Sequence, residues 1–229
     1  MSETLQLAAA DSFQFPAYVA RPEGTMRGAV LVVQEIFGVN AHIRAVADGY
    51  ATAGYLAVAP DAFHRVRQSV QLGYTPQDIQ AGIALKAQVE ALPAPGVLAD
   101  LQAAVDYAAT ASGARVAMVG YCWGGLLTWR SACLLRGLSA AAPYYGGGMT
   151  MGVELTRQPK CPVLCHFGAQ DHAIALDTVE AFRRAQPGVE VQVYDAQHGF
   201  NCDHRGAYDA AAAALARERT LAFLALHLA

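Results

Sequence analysis

Three side chains in this chain, Cys122, Asp171 and His198, have the types and order of a nucleophile, an orienting acid and a base. The stretch Val116-Ala117-Met118-Val119-Gly120-Tyr121-Cys122-Trp123-Gly124-Gly125 runs from a β-branched apolar strand into a glycine-framed turn. This G-x-C-x-G pattern reads as a nucleophile elbow with cysteine in the place usually held by serine. The glycines permit the sharp turn and let the following helix pack close to the strand. A thiol at the tip can attack a carbonyl if a base lies beside it and amide donors face the developing oxyanion.

The partners follow in hydrolase order. Asp171 stands just past the short apolar strand Pro162-Val163-Leu164-Cys165-His166-Phe167. His198 follows Val189-Glu190-Val191-Gln192-Val193-Tyr194, which alternates as a half-buried strand should. Asp195 is a rival acid, but it lies three residues before His198 and suits a turn cap better. Upstream, Leu31-Val32-Val33-Gln34-Glu35-Ile36-Phe37-Gly38 is a strand ending in a turn. By position, the oxyanion would be held by the backbone amides of Ile36 and Trp123. A glutamate between an apolar run and Ile36-Phe37 is poorly solvated, which favours a role for Glu35 over a passive ion pair.

Positioning these groups needs strands that end at one rim. Strands are expected over 4–8, 13–20, 29–34, 55–60, 115–121, 140–145, 163–167 and 189–194. Helices are expected over 42–53, 76–91, 96–109, 123–135, 176–185 and 208–228. The alternation predicts a single domain over 1–229: an α/β fold with a mostly parallel, doubly wound sheet and helices on both faces. No helix separates the first two strands, so an antiparallel edge is expected there. Glu35, Cys122, Asp171 and His198 all fall at or after strand ends, where such sheets bind ligands.

The segments Gln34-Glu35-Ile36-Phe37-Gly38-Val39-Asn40, Gly120-Tyr121-Cys122-Trp123-Gly124-Gly125, Asp171 and His198-Gly199-Phe200 resemble the dienelactone hydrolase family of α/β-hydrolases, from about Phe15 to the C-terminus. The resemblance implies a Cys122–His198–Asp171 triad, with Glu35 close to Cys122 and linked to ionising the thiol when substrate arrives. It also implies arginines that hold a substrate carboxylate, and here the chain departs from the pattern. Cys202 stands where one arginine is expected, Arg205 follows three positions later, and 74–82 carries no arginine. Arg205 or Arg65 could substitute; without either, neutral esters or lactones are favoured. Phe37, Tyr145 and Arg205 are the substrate-facing candidates.

The remaining chemistry-bearing residues read as ordinary structure. Cys133, Cys161 and Cys165 are expected as small buried hydrophobes, and Cys202 as structural or neutral. His42, His64, His166, His172, His204 and His227 read as packing or surface residues. The run Gly146-Gly147-Gly148 lacks the lysine of a phosphate loop.

Bulk properties narrow the function classes. The 54% hydrophobic and 15% charged content describes a globule with a large core. A net charge of −3 gives no reason to expect nucleic acid or an anionic membrane as partner. Five cysteines and a start that does not read as a leader predict reduced thiols in a cytosolic protein. The expectation is a monomeric, cofactor-free and metal-free hydrolase of a small ester or lactone. A general neutral-ester hydrolase and a non-catalytic binder on the same fold are the alternatives.

Overall fold

The computed structural model describes residues 1–229. The elements are β1 (Ser2–Ala8), β2 (Gln14–Ala20), β3 (Ala29–Val33), α1 (Ala41–Thr52), β4 (Leu56–Pro60), α2 (Pro76–Glu90), α3 (Val97–Ser112), β5 (Val116–Tyr121), α4 (Trp123–Leu134), β6 (Leu138–Tyr144), β7 (Leu164–Gly168), α5 (Leu176–Ala185), β8 (Glu190–Tyr194) and α6 (Ala210–Leu228). They form one eight-stranded sheet in the order β1-β2-β4-β3-β5-β6-β7-β8. The β1–β2 and β2–β4 pairs are antiparallel, and every other pair is parallel. The fold is the expected α/β sheet with its antiparallel edge.

Burial explains the strand sequences. β3, β4 and β5 are buried at every position, and they read as unbroken apolar runs because helices cover both faces. α1 and α6 share one face, joined where Arg217 Nη2 donates to the Gly49 carbonyl at 2.9 Å. α3, α4 and α5 lie on the other face, where the Trp129 and Phe182 rings meet at 5.1 Å. Hydrophobic residues of both layers and the sheet merge into one core.

Connectivity creates the crevice. From β3 the chain goes through α1 to β4 on one side, then returns past β3 to β5 on the other. The β3/β5 boundary is therefore the point where the winding reverses, and open sheets bind ligands there, beyond the carboxyl ends of the strands. The β3–β5 register runs to Val33↔Gly120, β5–β6 to Tyr121↔Tyr144, and β7–β8 to Gly168↔Tyr194. These pairings bring the segments after β3, β5, β7 and β8 to one rim.

Local signals set three of the six helix starts. Asn40 caps α1 by accepting from Ile43 N at 3.2 Å. Thr75 and Asp78 form a capping box before α2, with Pro76 at the first turn. Asp209 caps α6, so that helix begins at Ala210 and not at the expected 208. One element was absent from the sequence reading, a 3₁₀ turn at Gly152–Thr156. It is pinned from outside: Arg130 Nε and Arg157 Nε each reach the Glu154 carboxylate at 2.8 Å, and Trp129 Nε1 donates to its carbonyl at 3.1 Å. No helix is long and apolar enough to cross a membrane.

Candidate active site

Cys122 sits at the tip of the β5–α4 turn with φ 55° and ψ −117°. Such a φ is costly for any residue with a Cβ, so the surroundings must impose it. They do so partly through hydrogen bonds: Cys122 N donates to Tyr144 O at 3.0 Å and Tyr145 N to His166 O at 2.7 Å. The glycines do the rest. A Cβ on Gly124 would run into the Val33 and Gln34 carbonyls, and one on Gly120 would strike the Gly124 carbonyl and Thr128. The elbow closes because both positions lack a side chain, which leaves the thiol partly exposed on an otherwise buried turn.

The acid and base meet it from β7 and β8. Asp171 is buried, and its Oδ1 accepts from Ala173 N at 2.8 Å and Ile174 N at 3.1 Å. Its Oδ2 faces His198 Nδ1 at 2.7 Å. With Nδ1 so engaged, His198 Nε2 is the nitrogen left to serve Cys122. Burial alone would depress the imidazole. The negative charge of Cys122 and the hydrogen bonds to Asp171 and Cys122 outweigh it and hold His198 up at about 10. Asp195, the rival acid, is exposed and accepts from Gln170 Nε2 at 2.7 Å instead.

Glu35 follows β3 and is fully buried. Its Oε1 accepts from Arg205 Nη1 at 3.1 Å and its Oε2 from the Tyr74 hydroxyl at 3.4 Å. Burial opposes the charge on Arg205, but Glu35 and Cys122 together raise its pKa. The Arg205 guanidinium lies against Gly199, next to His198 in the chain. Arg205 thus reaches the site. Arg65 does not: its donors are spent on Asp100 at 2.7 and 2.8 Å and on Asp11 at 2.7 and 3.0 Å. The expectation that Arg65 could replace a carboxylate-binding arginine is corrected on this ground.

The two amides expected to face an oxyanion differ in what secures them. The Ile36 N–H bonds to no protein acceptor. The Ile36 backbone is held from behind by Gly82 of α2, where a Cβ would collide with the Ile36 carbonyl. The Trp123 N–H is at the first position of α4, where helix geometry supplies no acceptor. The Trp123 indole is locked by stacking on Phe63 at 5.1 Å and by donating from Nε1 to Glu90 at 2.8 Å.

Among the substrate-facing candidates, Tyr145 fits best. It lies just past β6 with φ 37°, and its ring is 5.1 Å from that of His198. Its hydroxyl is buried with no partner, and Glu35, Cys202 and Cys122 add to burial in pushing its pKa well up. Phe37 backs the site and does not line it openly: its ring packs edge-on to Tyr74 at 4.6 Å beneath the Arg205 guanidinium at 5.9 Å. Trp123 is equally enclosed. Cys133 and Cys165 are buried, as expected, Cys161 is only half-buried, and burial raises all three thiols.

Sequence reasoning missed two neighbours of Glu35. Tyr74 donates to it from the loop before α2, and His42 lies beside it and Cys202. Neither sits at a strand end, so only the folded loops bring them in. A cavity of about 320 Å³ opens between α1 and α6, lined by Tyr50, Tyr121, Tyr144 and Arg217, but not by Cys122 or His198.

Comparison with known proteins shows the family and the fold. The model of the dienelactone hydrolase family matches residues 15–228. A Pseudomonas putida protein named carboxymethylenebutenolidase is 33% identical over 232 residues, covering 98% of this chain and 97% of that one. A Synechocystis protein named "Putative carboxymethylenebutenolidase" is 34% identical over 220 residues, covering 89% and 88%. A solved Klebsiella pneumoniae structure named "Putative Dienelactone Hydrolase" superimposes with a TM-score of 0.83 at 32% identity, covering 98% and 99%.

Proposed function

The chain belongs to the dienelactone hydrolase family, and on that premise we propose that it cleaves an enol lactone or activated ester through a Cys122 thioester. Family membership makes it a hydrolase of esters or lactones. The observation that carries the finer reading is the Asp171–His198 pair at 2.7 Å, on an imidazole that the charge of Cys122 at the elbow also acts on.

The Cys122 thiolate attacks the carbonyl carbon, and the oxyanion forms between the Ile36 and Trp123 amides. Removing one such donor costs about 3–4 kcal/mol in enzymes where it has been tested. Protonated His198 then supplies a proton to the leaving oxygen, and afterwards takes one from the water that resolves the thioester. Asp171 keeps His198 in the tautomer that serves both steps. A thiolate expels enols and phenols better than amines, which favours enol lactones and aryl esters over peptides. Nucleophile, base and oxyanion donors all come from the chain, so the reaction needs no cofactor. The same reading makes this a cytosolic, monomeric enzyme of aromatic-compound degradation.

Arg205 and Glu35 support selection of a carboxylated substrate. A carboxylate arriving at Arg205 competes with Glu35 for one guanidinium. Released from that pair, Glu35 assists ionisation of the thiol. A second reading, a neutral-ester hydrolase, is favoured by the same ion pair: in the free enzyme Glu35 already neutralises Arg205, and Cys202 replaces the arginine of the family pattern.

Steady-state hydrolysis of a dienelactone beside a neutral short-chain aryl ester separates the two, with Cys122→Ala as control. Turnover of the dienelactone that vanishes in Cys122→Ala is the expected result. Turnover of the aryl ester alone would support the second reading, and wild-type rates in Cys122→Ala would remove Cys122 from the mechanism.

A further inference from the structure

Behind Glu35 lies a second cluster that the hydrolytic reading does not use. Glu35, His42 and Cys202 come from the end of β3, the first turn of α1 and the loop after β8. One donor atom from each lies within 4.8 Å of the others, and all three residues are buried. His42 is 3% exposed. Its Nδ1 faces the Asp203 carboxylate at 3.1 Å, while its Nε2 is buried with no hydrogen-bond partner.

An orphaned ring nitrogen in a buried site is uncommon in native proteins and calls for a ligand. Carboxylate on one nitrogen and an open second nitrogen is the arrangement of a metal-binding histidine: the outer carboxylate fixes the tautomer and raises the basicity of the inner nitrogen. The donor set is one thiol, one imidazole and one carboxylate. That mixture suits zinc-like ions in tetrahedral sites and is wrong for calcium or magnesium, which take oxygen ligands.

We propose that Glu35, His42 and Cys202 form a binding site for one zinc-type divalent cation, with Asp203 orienting His42. Binding exchanges the Cys202 thiol proton for the metal: Cys–SH and M²⁺ give Cys–S–M⁺, and the proton leaves to solvent. Glu35 contributes Oε2, whose contact to Tyr74 is long at 3.4 Å, and keeps Oε1 on Arg205 at 3.1 Å. Water or solvent-borne anion fills the fourth position. The site is separate from the catalytic thiol but shares Glu35 with it. On the functional reading given above, which this consequence alone rests upon, a bound cation holds Glu35 and slows turnover reversibly.

Titration of the reduced protein with Co²⁺ tests the site by absorption. The expected result is one equivalent bound, with a thiolate-to-cobalt band in the near ultraviolet and tetrahedral d–d bands in the visible. The spectrum should persist in Cys122→Ser, vanish in Cys202→Ala and lose intensity in His42→Gln. Asp203→Asn should weaken binding by about tenfold to a hundredfold. Circular dichroism checks that each variant is folded, and Cys202→Ser replaces Cys202→Ala if the latter is not. Absence of a thiolate band in wild type, its survival in the Cys202 variant, or its loss in Cys122→Ser would each overturn the proposal. The last outcome would place the cation on the catalytic pair. Because the readout is binding, it stands or falls apart from the hydrolytic reading.

Discussion

His166 lies within a strand and His198 past the end of the next one, and the fold treats them in opposite ways. His166 is in the body of β7, wholly buried, with its nitrogens facing Tyr194 Oη at 2.8 Å and Thr220 Oγ1 at 2.9 Å. Burial and then the charge of Arg219 depress it to about 3. His198 stands past the end of β8, and the charge of Cys122 with the Asp171 and Cys122 hydrogen bonds raises it to about 10 against burial. Burial pulls both imidazoles the same way. The sign of the net shift is decided by whether an anion is within reach. Strand interiors supply hydroxyls and packing, while the segments past β5 and β7 supply the Cys122 sulfur and the Asp171 carboxylate. The residue past the strand end is held toward its charged form, and the strand residue toward its neutral, hydrogen-bonded form.

The comparison can be broken most severely at Asp171. Asp171→Asn leaves His198 held but exchanges an anion for a neutral acceptor and donor. A fall in kcat of about 10⁴-fold is expected, as in other triads, together with a lower apparent pKa in the pH–rate profile. An unchanged profile would show that Asp171 does not set the His198 charge. Glu35→Gln is next. The rate of Cys122 alkylation at neutral pH should drop on the order of 100-fold if Glu35 acts as a base on the thiol. Equal alkylation rates in both proteins would take Glu35 out of that step.

Arg205→Gln sharpens the substrate side of the rim. The KM for a dienelactone should rise roughly tenfold or more, the loss of one charge-assisted pair, while a neutral aryl ester is little affected. A parallel loss on both substrates would mean that Arg205 is needed for architecture and not for recognition.

The smallest effect belongs to His166. Its native pKa is below the unfolded value of about 6.5, so the unfolded state binds the extra proton. Stability is therefore unaffected by His166 above about pH 6.5 and decreases as pH falls toward 3. The slope contributed is at most about 1.4 kcal/mol per pH unit. His198 has the opposite sign: its contribution is full below about pH 6.5 and is lost as pH rises through about 10. Urea denaturation at several pH values should show a flatter acid limb in His166→Gln than in wild type. Identical limbs would mean that His166 is charged in the fold.

Much of this molecule is legible in one dimension. All eight strands and six helices lie within a few residues of where periodicity places them, and the antiparallel edge follows from two strands with no helix between them. Cys122, Asp171 and His198 were readable because glycines and strand ends mark them. The exceptions share a cause. The turn Gly152–Thr156 has no pattern of its own and is held by Arg130, Arg157 and Trp129 from other segments. Arg65 looked available in sequence, yet Asp11 and Asp100, distant along the chain, consume it. His42 read as packing or surface because its significance depends on Glu35 arriving from one loop and Cys202 and Asp203 from another.

By itself, then, the sequence determined where backbone geometry must be special: the elbow at Cys122, the strand ends, the helix caps. Those features are local, because glycine, proline and apolar periodicity act on dihedrals and on burial within a few residues. Which charges meet was decided only in three dimensions. The pairing of Arg205 with Glu35, the opposite fates of His166 and His198, and the open nitrogen of His42 all depend on Coulomb and hydrogen-bond partners remote in the chain. Such interactions vary with distance and burial, neither of which a sequence spells out.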